Sequence, residues 1–298
     1  MKYLILGANS FYGSSFVKLL KEKKEDVECL SKPEFNIDHP VTFRQWRRSL
    51  SGVTVVNFIS RSAVAESWED PCGWLRTNVV NTTALIERMC ASDCALFLHV
   101  STPEVYGSNT SWVAEKTAFR PTTPYAVSRA AADMMLNCLW RGRSQPIIIT
   151  RTSNIYGRGQ QPHRLIPKAF KIIASGGRFP LHGTGNSVRS FIHVSDAASA
   201  LWLLSKHGDF GQTYHISTTK THKITDVIAK IARILRRDLE NCVERTPERL
   251  GKDHAYLLDS NKIRTLGWSD KITLDQGLKD YANNSIEPQT GQRLPREV

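Results

Sequence analysis

An open, doubly wound parallel α/β sheet beside a smaller α/β lobe is the fold class that the sequence predicts. Three observations carry this. Short apolar runs of strand length alternate with stretches of helical spacing through the first half of the chain. One run, "VTVVNFIS", is nearly continuous in apolar residues, as a parallel strand covered on both faces requires. The first run, "KYLILG", ends in a glycine that opens a turn into a helix.

Taken in order, "KYLILG" is a buried strand and a helix follows from about Gly13 to Lys23. "DVECL" and "VTVVNFIS" are the second and third strands. "TNVVNTTALIERMCAS" has helical spacing at Val79, Leu85, Ile86 and Met89. "ALFLHVST" is a strand, "YAVSRAAADMMLNCLW" a helix, and "PIIITRTSNIYG" a strand running into a loop. The pattern changes after about residue 160, so residues 1–160 are expected to form the sheet domain. Residues 161–285 are expected to form mainly the second lobe. There "RLIPKAFKIIAS" is a helix and "VRSFIHVSDAASALWLLSK" a strand and helix. "ITDVIAKIARILRR" is amphipathic, with Ile224, Val227, Ile228, Ile231 and Ile234 on one face. The tail 286–298 is polar with two prolines and is expected to be mobile.

Composition narrows the function. The chain has 298 residues, 41% hydrophobic and 23% charged, ordinary for a globular enzyme. No apolar run approaches the about 20 residues of a membrane span, and "MKYLILGANS" reads as a strand, not a signal peptide. Cys29, Cys72, Cys90, Cys94, Cys138 and Cys242 show no CxxC pair, so we expect reduced, mostly buried thiols in a cytoplasmic protein. No histidine pair has metal-ligand spacing, and no metal is expected. The net charge of +12 suits an anionic partner. Its lysines and arginines are scattered, without a basic arm, so nucleic acid is not the expected one.

In "LGANSFYGSS", Gly7 and Gly13 are six apart, and Ser10 stands where a third glycine is usual in a dinucleotide-binding turn. Small residues let backbone amides approach a pyrophosphate there. At the end of the second strand an acidic residue would bind the ribose 2′-hydroxyl of NAD. This chain has Ser31 and Lys32 instead, which favours NADP over NAD.

These segments form an ordered set. "ISRSAVAESWEDPCGWLRTNVVNT", "STPEVYG", "PTTPYAVSRAAAD", "RTSNIYGRGQQPHRLIPKAF", "LHGTGNSVRSFIHVSDAASAL" and "LLDSNKIRTLGW" follow one another across residues 1–285. Together they resemble the extended short-chain dehydrogenase/reductase family, and within it the NAD(P)-dependent nucleotide-sugar epimerases and dehydratases. The resemblance implies a Rossmann-type sheet, a nucleoside-diphosphate sugar substrate and a homodimer.

It also implies roles for residues. Tyr125 matches the tyrosine that takes a proton from a sugar hydroxyl. Arg129 stands where the family has lysine, four residues on along a helix. Thr102 matches the Ser/Thr beside the tyrosine, and Glu104 the glutamate that draws the carbon 5 proton in dehydratases. Pro103 departs from the pattern, since dehydratases hold an aspartate there to protonate the leaving 6-hydroxyl. The cofactor is expected at Gly7, Asn9, Ser10, Phe11, Tyr12, Gly13, Ser31, Lys32, Asn36, Ile37, Phe58, Ile59, Asn78 and Arg129. The substrate is expected at Ser62, Thr102, Asn154, Leu165, Ile166 and Arg189, with Asn154 and Arg189 on the diphosphate and Leu165 and Ile166 on the base. Three functions stay open: transient oxidation at carbon 4 leading to epimerisation or dehydration, NADPH-dependent reduction of a 4-keto nucleotide-sugar, and cofactor binding without catalysis.

Overall fold

The structure is a computed structural model and describes residues 1–39, 49–247 and 255–285. The tail expected to be mobile lies outside them.

Six strands form one sheet: β1 (Lys2–Leu6), β2 (Asp26–Leu30), β3 (Val53–Asn57), β4 (Leu96–Ser101), β5 (Ile147–Thr152) and β10 (Thr213–Ile216). Their order is β10-β5-β4-β3-β1-β2, and every pairing is parallel. Strand β1 shows why both faces must be covered. Tyr3 and Ile5 enter one core with Phe16, Leu201 and Leu204. Leu4 and Leu6 enter another with Val55, Leu85, Phe97 and Leu136. The period of two along a strand sends alternate side chains to opposite faces.

Helix α1 (Phe11–Glu22) covers the first face and follows the glycine turn. Helix α2 covers the second and runs through Pro71–Leu75, Arg76–Asn81 and Thr82–Cys90, its middle stretch wound as a π-helix. Beside it lies α3 (Pro124–Arg143), begun by Thr123, whose Oγ1 accepts from the Ala126 amide at 3.1 Å.

The second lobe has its own core. Helix α4 (Leu165–Ala174) and the amphipathic α6 (Ile224–Ile234) bury Ile166, Phe170, Val227, Ile228 and Ile231 together. Small strand pairs brace it, including β6 (Asn154–Tyr156) with β9 (Phe191–His193).

Two expectations change here. The chain does not divide simply at residue 160. Helix α5 (Val194–His207) packs on α1 through Ala197, Leu201 and Leu204, and β10 pairs with β5. Residues 194–216 therefore complete the sheet domain. The cysteines are all free, but Cys29, Cys72 and Cys138 are exposed, and only Cys94 and Cys242 are buried. Cys138 and Cys72 sit on the solvent side of amphipathic helices, which sets their exposure.

Candidate active site

The glycine turn and the tyrosine helix meet the C-terminal ends of the strands, where open α/β sheets bind ligands. Gly7 adopts φ +78°, in the left-handed region that favours glycine. A Cβ on Gly13 would lie 2.5 Å from the Gly7 carbonyl oxygen, so the turn tolerates no side chain there. Ser10 does more than fit the middle place. Its Oγ donates to the Gly7 carbonyl at 2.8 Å and accepts from the Gly13 amide at 3.1 Å, capping α1.

This turn borders a hollow of about 220 Å³. Of the expected cofactor residues it gathers Gly7, Asn9, Ser10, Ser31, Lys32, Ile37, Phe58 and Ile59, and it adds Phe35 and Ser60. Ser31 Oγ accepts from the Asn9 amide at 3.1 Å and so ties the second strand's end to the turn. Other expected contacts are engaged elsewhere. Tyr12 is buried against Phe58 and donates its hydroxyl to the Ala197 carbonyl at 2.9 Å. Phe11 packs at the margin of the first core, and Asn36 accepts from the Asp38 amide at 3.1 Å.

Asn78 is fully buried in the π-wound stretch of α2. Its Oδ1 accepts from the Arg61 amide at 2.8 Å, and Nδ2 donates to the Arg61 carbonyl and to Ser128 Oγ. The geometry makes it a clamp between the loop after β3 and the tyrosine helix. That differs from the direct cofactor contact expected of it.

Tyr125 and Arg129 share the buried side of α3, at 7% and 1% exposure. Tyr125 is hydrogen-bonded to Thr102, and Arg129 and Arg164 lie close enough to favour its ionised form. Burial outweighs them and, with the Glu104 carboxylate, holds the phenol above its ordinary value. Thr102 caps a short 3-10 turn, Pro103–Tyr106, its Oγ1 accepting from the Glu104 amide at 3.3 Å. Pro103 opens that turn, where a missing N–H costs nothing and a fixed φ helps. The turn brings a half-buried Glu104 beside Tyr125. Thr102, Glu104, Tyr125 and Arg129 thus form one group.

The substrate residues are placed less uniformly. Asn154 on β6 is exposed, and Arg189 on β8 (Val188–Arg189) lies two residues before Phe191, the strand partner of Asn154. Ser62 is exposed on the loop that Asn78 clamps. Leu165 is half-buried at the start of α4, but Ile166 is 1% exposed inside the lobe core, so it supports the position expected to pack a base without lining it.

Sequence reasoning missed two residues around Arg129. His99, fully buried on β4, has Nε2 3.2 Å from Arg129 Nη2 and Nδ1 3.3 Å from Asn57 Nδ2. Burial and the charges of Arg129 and Arg151 push its imidazole well below the ordinary range, so it is neutral. Arg151 on β5 is 1% exposed and bound to Asp133 of α3. A histidine and an arginine inside otherwise apolar strands were the available signals.

These residues fit a nicotinamide dinucleotide. The hollow at the turn is lined by Gly7, Asn9, Ser10, Ser31 and Lys32, and Arg129 keeps Nε and Nη1 buried without a hydrogen-bond partner among the described residues. Among the described residues no group of His, Cys, Asp and Glu is arranged to hold a metal.

The family's sequence model matches residues 3–217, most of the chain. The chain belongs to the NAD dependent epimerase/dehydratase family. It is 32% identical to a dTDP-glucose 4,6-dehydratase of Xanthomonas campestris over 256 residues, covering 79% of this chain and 73% of that protein. It is 31% identical to an Arabidopsis thaliana trifunctional UDP-glucose 4,6-dehydratase/UDP-4-keto-6-deoxy-D-glucose 3,5-epimerase/UDP-4-keto-L-rhamnose-reductase over 231 residues, 76% of this chain. The chain spans only about a third of such plant relatives, 35% in that case. Among solved structures, DesIV, a dTDP-glucose 4,6-dehydratase from Streptomyces venezuelae with NAD bound, superposes with TM-score 0.85 at 28% identity, covering 95% of this chain and 98% of that one.

Proposed function

We propose that the chain is an NAD(P)-dependent enzyme that modifies a nucleoside-diphosphate hexose through a transient 4-keto sugar. The observation that carries this is the grouping of Tyr125, Thr102, Glu104 and Arg129 at the strand ends next to the glycine turn. Tyr125 takes the proton of the sugar 4-hydroxyl, and Thr102 hydrogen-bonds the same hydroxyl. Gly7, Asn9, Ser10, Ser31 and Lys32 would hold a nicotinamide dinucleotide, which would supply reversible hydride transfer at carbon 4. Arg129 stabilises the tyrosinate through its fixed charge. Glu104 removes the carbon 5 proton, which the neighbouring keto group acidifies. Pro103 has no proton to give, so a dehydration needs Glu104 to return its own proton to the leaving 6-hydroxyl. Asn154 and Arg189 hold the diphosphate, and Leu165 packs the base.

NADP is the preferred cofactor in this reading, since Ser31 and Lys32 line the hollow without a carboxylate. The same pair favours a second reading, reduction of a 4-keto nucleotide-sugar by NADPH. Binding without catalysis is the third, and the burial of Arg129 beside Tyr125 argues against it.

A homodimer would pack through the outer faces of α2 and α3. Leu75, Val127, Met134 and Met135 are exposed there, and Trp68, Pro71 and Pro124 border an apolar hollow. The free thiols suit the cytoplasm. No helix among the described residues is long and apolar enough to cross a membrane.

The test is a panel of UDP- and dTDP-hexoses with NAD⁺ or NADP⁺ and no added reductant, read by mass spectrometry in deuterated water. Turnover with deuterium at carbon 5, abolished in Glu104→Gln, is expected. Turnover only of keto-sugars with added NADPH would replace the first reading by the second.

A further inference from the structure

His99 has no part in the chemistry so far, yet it touches the one arginine that does. We propose that His99 is a positioning residue for Arg129: its imidazole and the Val100 carbonyl fix Nη2, leaving Nε and Nη1 for the tyrosine and the dinucleotide. The inference rests on the reading of Arg129 as the group that stands in for lysine.

The argument is one of donors and acceptors. A guanidinium donates only, so the nitrogen of His99 that meets it must be the bare one. Arg129 Nη2 lies 3.2 Å from Nε2, and Asn57 Nδ2, also a donor because its Oδ1 accepts from the Ile59 amide, lies 3.3 Å from Nδ1; a neutral ring accepts from only one of them, and the charged guanidinium is the stronger donor, so Nε2 is the bare nitrogen. A protonated ring would set donor against donor and cation against cation. Among the described residues the polar groups that face His99 are Asn57 of β3, Arg129 of α3 and Arg151 of β5; none is a carboxylate, and both charges keep the ring neutral.

The need for such a partner follows from the residue type. A lysine ends in three donors about a rotating bond, and any of them can find the ribose or the tyrosine. A guanidinium is planar, with its donors spread around a rigid fork. Turned by a quarter, the same charge points its N–H groups at the wrong atoms. Arg129 is 1% exposed, so water does not satisfy the remaining edge. An acceptor on β4 below and a carbonyl one residue later fix the plane of the fork.

The test uses the full chain, with 3-fluorotyrosine at position 125 so that the phenol titrates within reach and reports by fluorine resonance. Thr102, Glu104, Arg129 and Arg164 face that phenol and stay unchanged in the single His99 variants. His99→Phe keeps a ring and removes the acceptor, and His99→Gln keeps an acceptor near the place of Nε2. His99→Asn carries an acceptor too short to reach it and replaces His99→Phe should that variant melt early. His99→Phe is expected to raise the Tyr125 midpoint by about one unit. NADP⁺ and NAD⁺ should bind about tenfold more weakly. His99→Gln is expected to hold both within about threefold. In an Arg129→Lys background His99→Phe should change neither, because the rotating ammonium needs no aiming. An unchanged midpoint and affinity in His99→Phe, or the same loss in the Arg129→Lys background, would overturn the proposal. None of these measurements needs a sugar. An enzyme inert toward every nucleotide-sugar can still show the shifts, and an active one can still lack them.

Discussion

Arg129 and Arg151 are both 1% exposed and both act on His99 through their charge, but their surroundings differ. Arg151 has every nitrogen engaged. Nε and Nη2 lie 2.9 and 2.8 Å from Asp133 Oδ2, Nη1 donates to the Tyr106 hydroxyl and, at 3.3 Å, to the Glu115 carbonyl. Its guanidinium also sits over the rings of Tyr106 and Phe119. Among the described residues Arg129 has partners on Nη2 alone. A buried cation with a full set of acceptors ties elements together. One with spare donors retains hydrogen-bonding capacity that only a bound molecule can use, and its burial is a cost to the fold that function offsets. Charge and burial therefore do not separate scaffold from site, whereas the tally of acceptors does.

The largest effects should fall on opposite properties of the two. Arg129→Met should lower turnover by roughly 10²–10⁴, the range for loss of acid–base catalysis, and Tyr125→Phe should match it. Thermal stability should hold or rise, since a half-paired buried cation is removed. A marked fall in melting temperature with turnover intact would assign Arg129 to the scaffold. Arg151→Met should instead cost about 3–5 kcal/mol in denaturant unfolding, because it leaves the Asp133 carboxylate buried without its cation. Adding Asp133→Leu should recover much of the loss. A single-variant cost under about 1 kcal/mol would break the comparison from the other side.

Two buried histidines near Arg151 give a smaller, pH-dependent effect. His215 accepts from or donates to the Tyr106 hydroxyl at 2.7 Å and is pushed down to about 3 by burial and Arg151. His99 is lowered as well. Both are neutral in the fold and protonate in the unfolded chain below about 6.5. The unfolded state then binds more protons, so stability is complete above that pH and declines as pH falls toward the folded values. Each histidine should contribute a slope of about 1.4 kcal/mol per pH unit. Urea unfolding at pH 7.5, 6 and 5 measures it, and His215→Gln should reduce the slope by about half of the combined value.

Much of this was legible before any coordinates. Five of the six sheet strands announce themselves as apolar runs, and the glycine turn and the Tyr125 helix sit where spacing and resemblance put them. Strand β10 was missed because "TYHI" is four residues with a histidine in it, and its place beside β5 comes from a long-range pairing that no local pattern records. The α5 helix was recognised as a helix but given to the wrong lobe, since amphipathicity tells that a face is buried and not against what. In the site, the turn and the residues on one stretch of chain were readable. The clamp by Asn78 and the contact of His99 with Arg129 were not, because each joins residues at least 17 apart through side-chain geometry. The burial of Ile166 in the lobe core was unreadable for the same reason: an apolar residue beside a site is as readily beneath it.

The smallest effect tests the comparison most closely, by making the same substitution at both arginines. Arg129→Lys keeps the positive charge four residues after Tyr125, on the same side of α3. Among the described residues only Nη2 of the arginine is engaged, and an ammonium at a similar depth can still reach one acceptor. Turnover should therefore stay within about tenfold of wild type, a difference under about 1.4 kcal/mol, with the pH optimum unmoved. Arg151→Lys also keeps its charge, but three nitrogens serve four acceptor contacts there, and one ammonium cannot span Asp133 and Tyr106 as a planar fork does. That variant should be clearly less stable, while Arg129→Lys melts as wild type does. Equal melting temperatures for the two lysine variants would show that the acceptors around Arg151 add nothing that a point charge lacks. A large loss of turnover in Arg129→Lys, with the fold intact, would show that the unpartnered Nε and Nη1 take part as a two-pronged contact and not through charge alone.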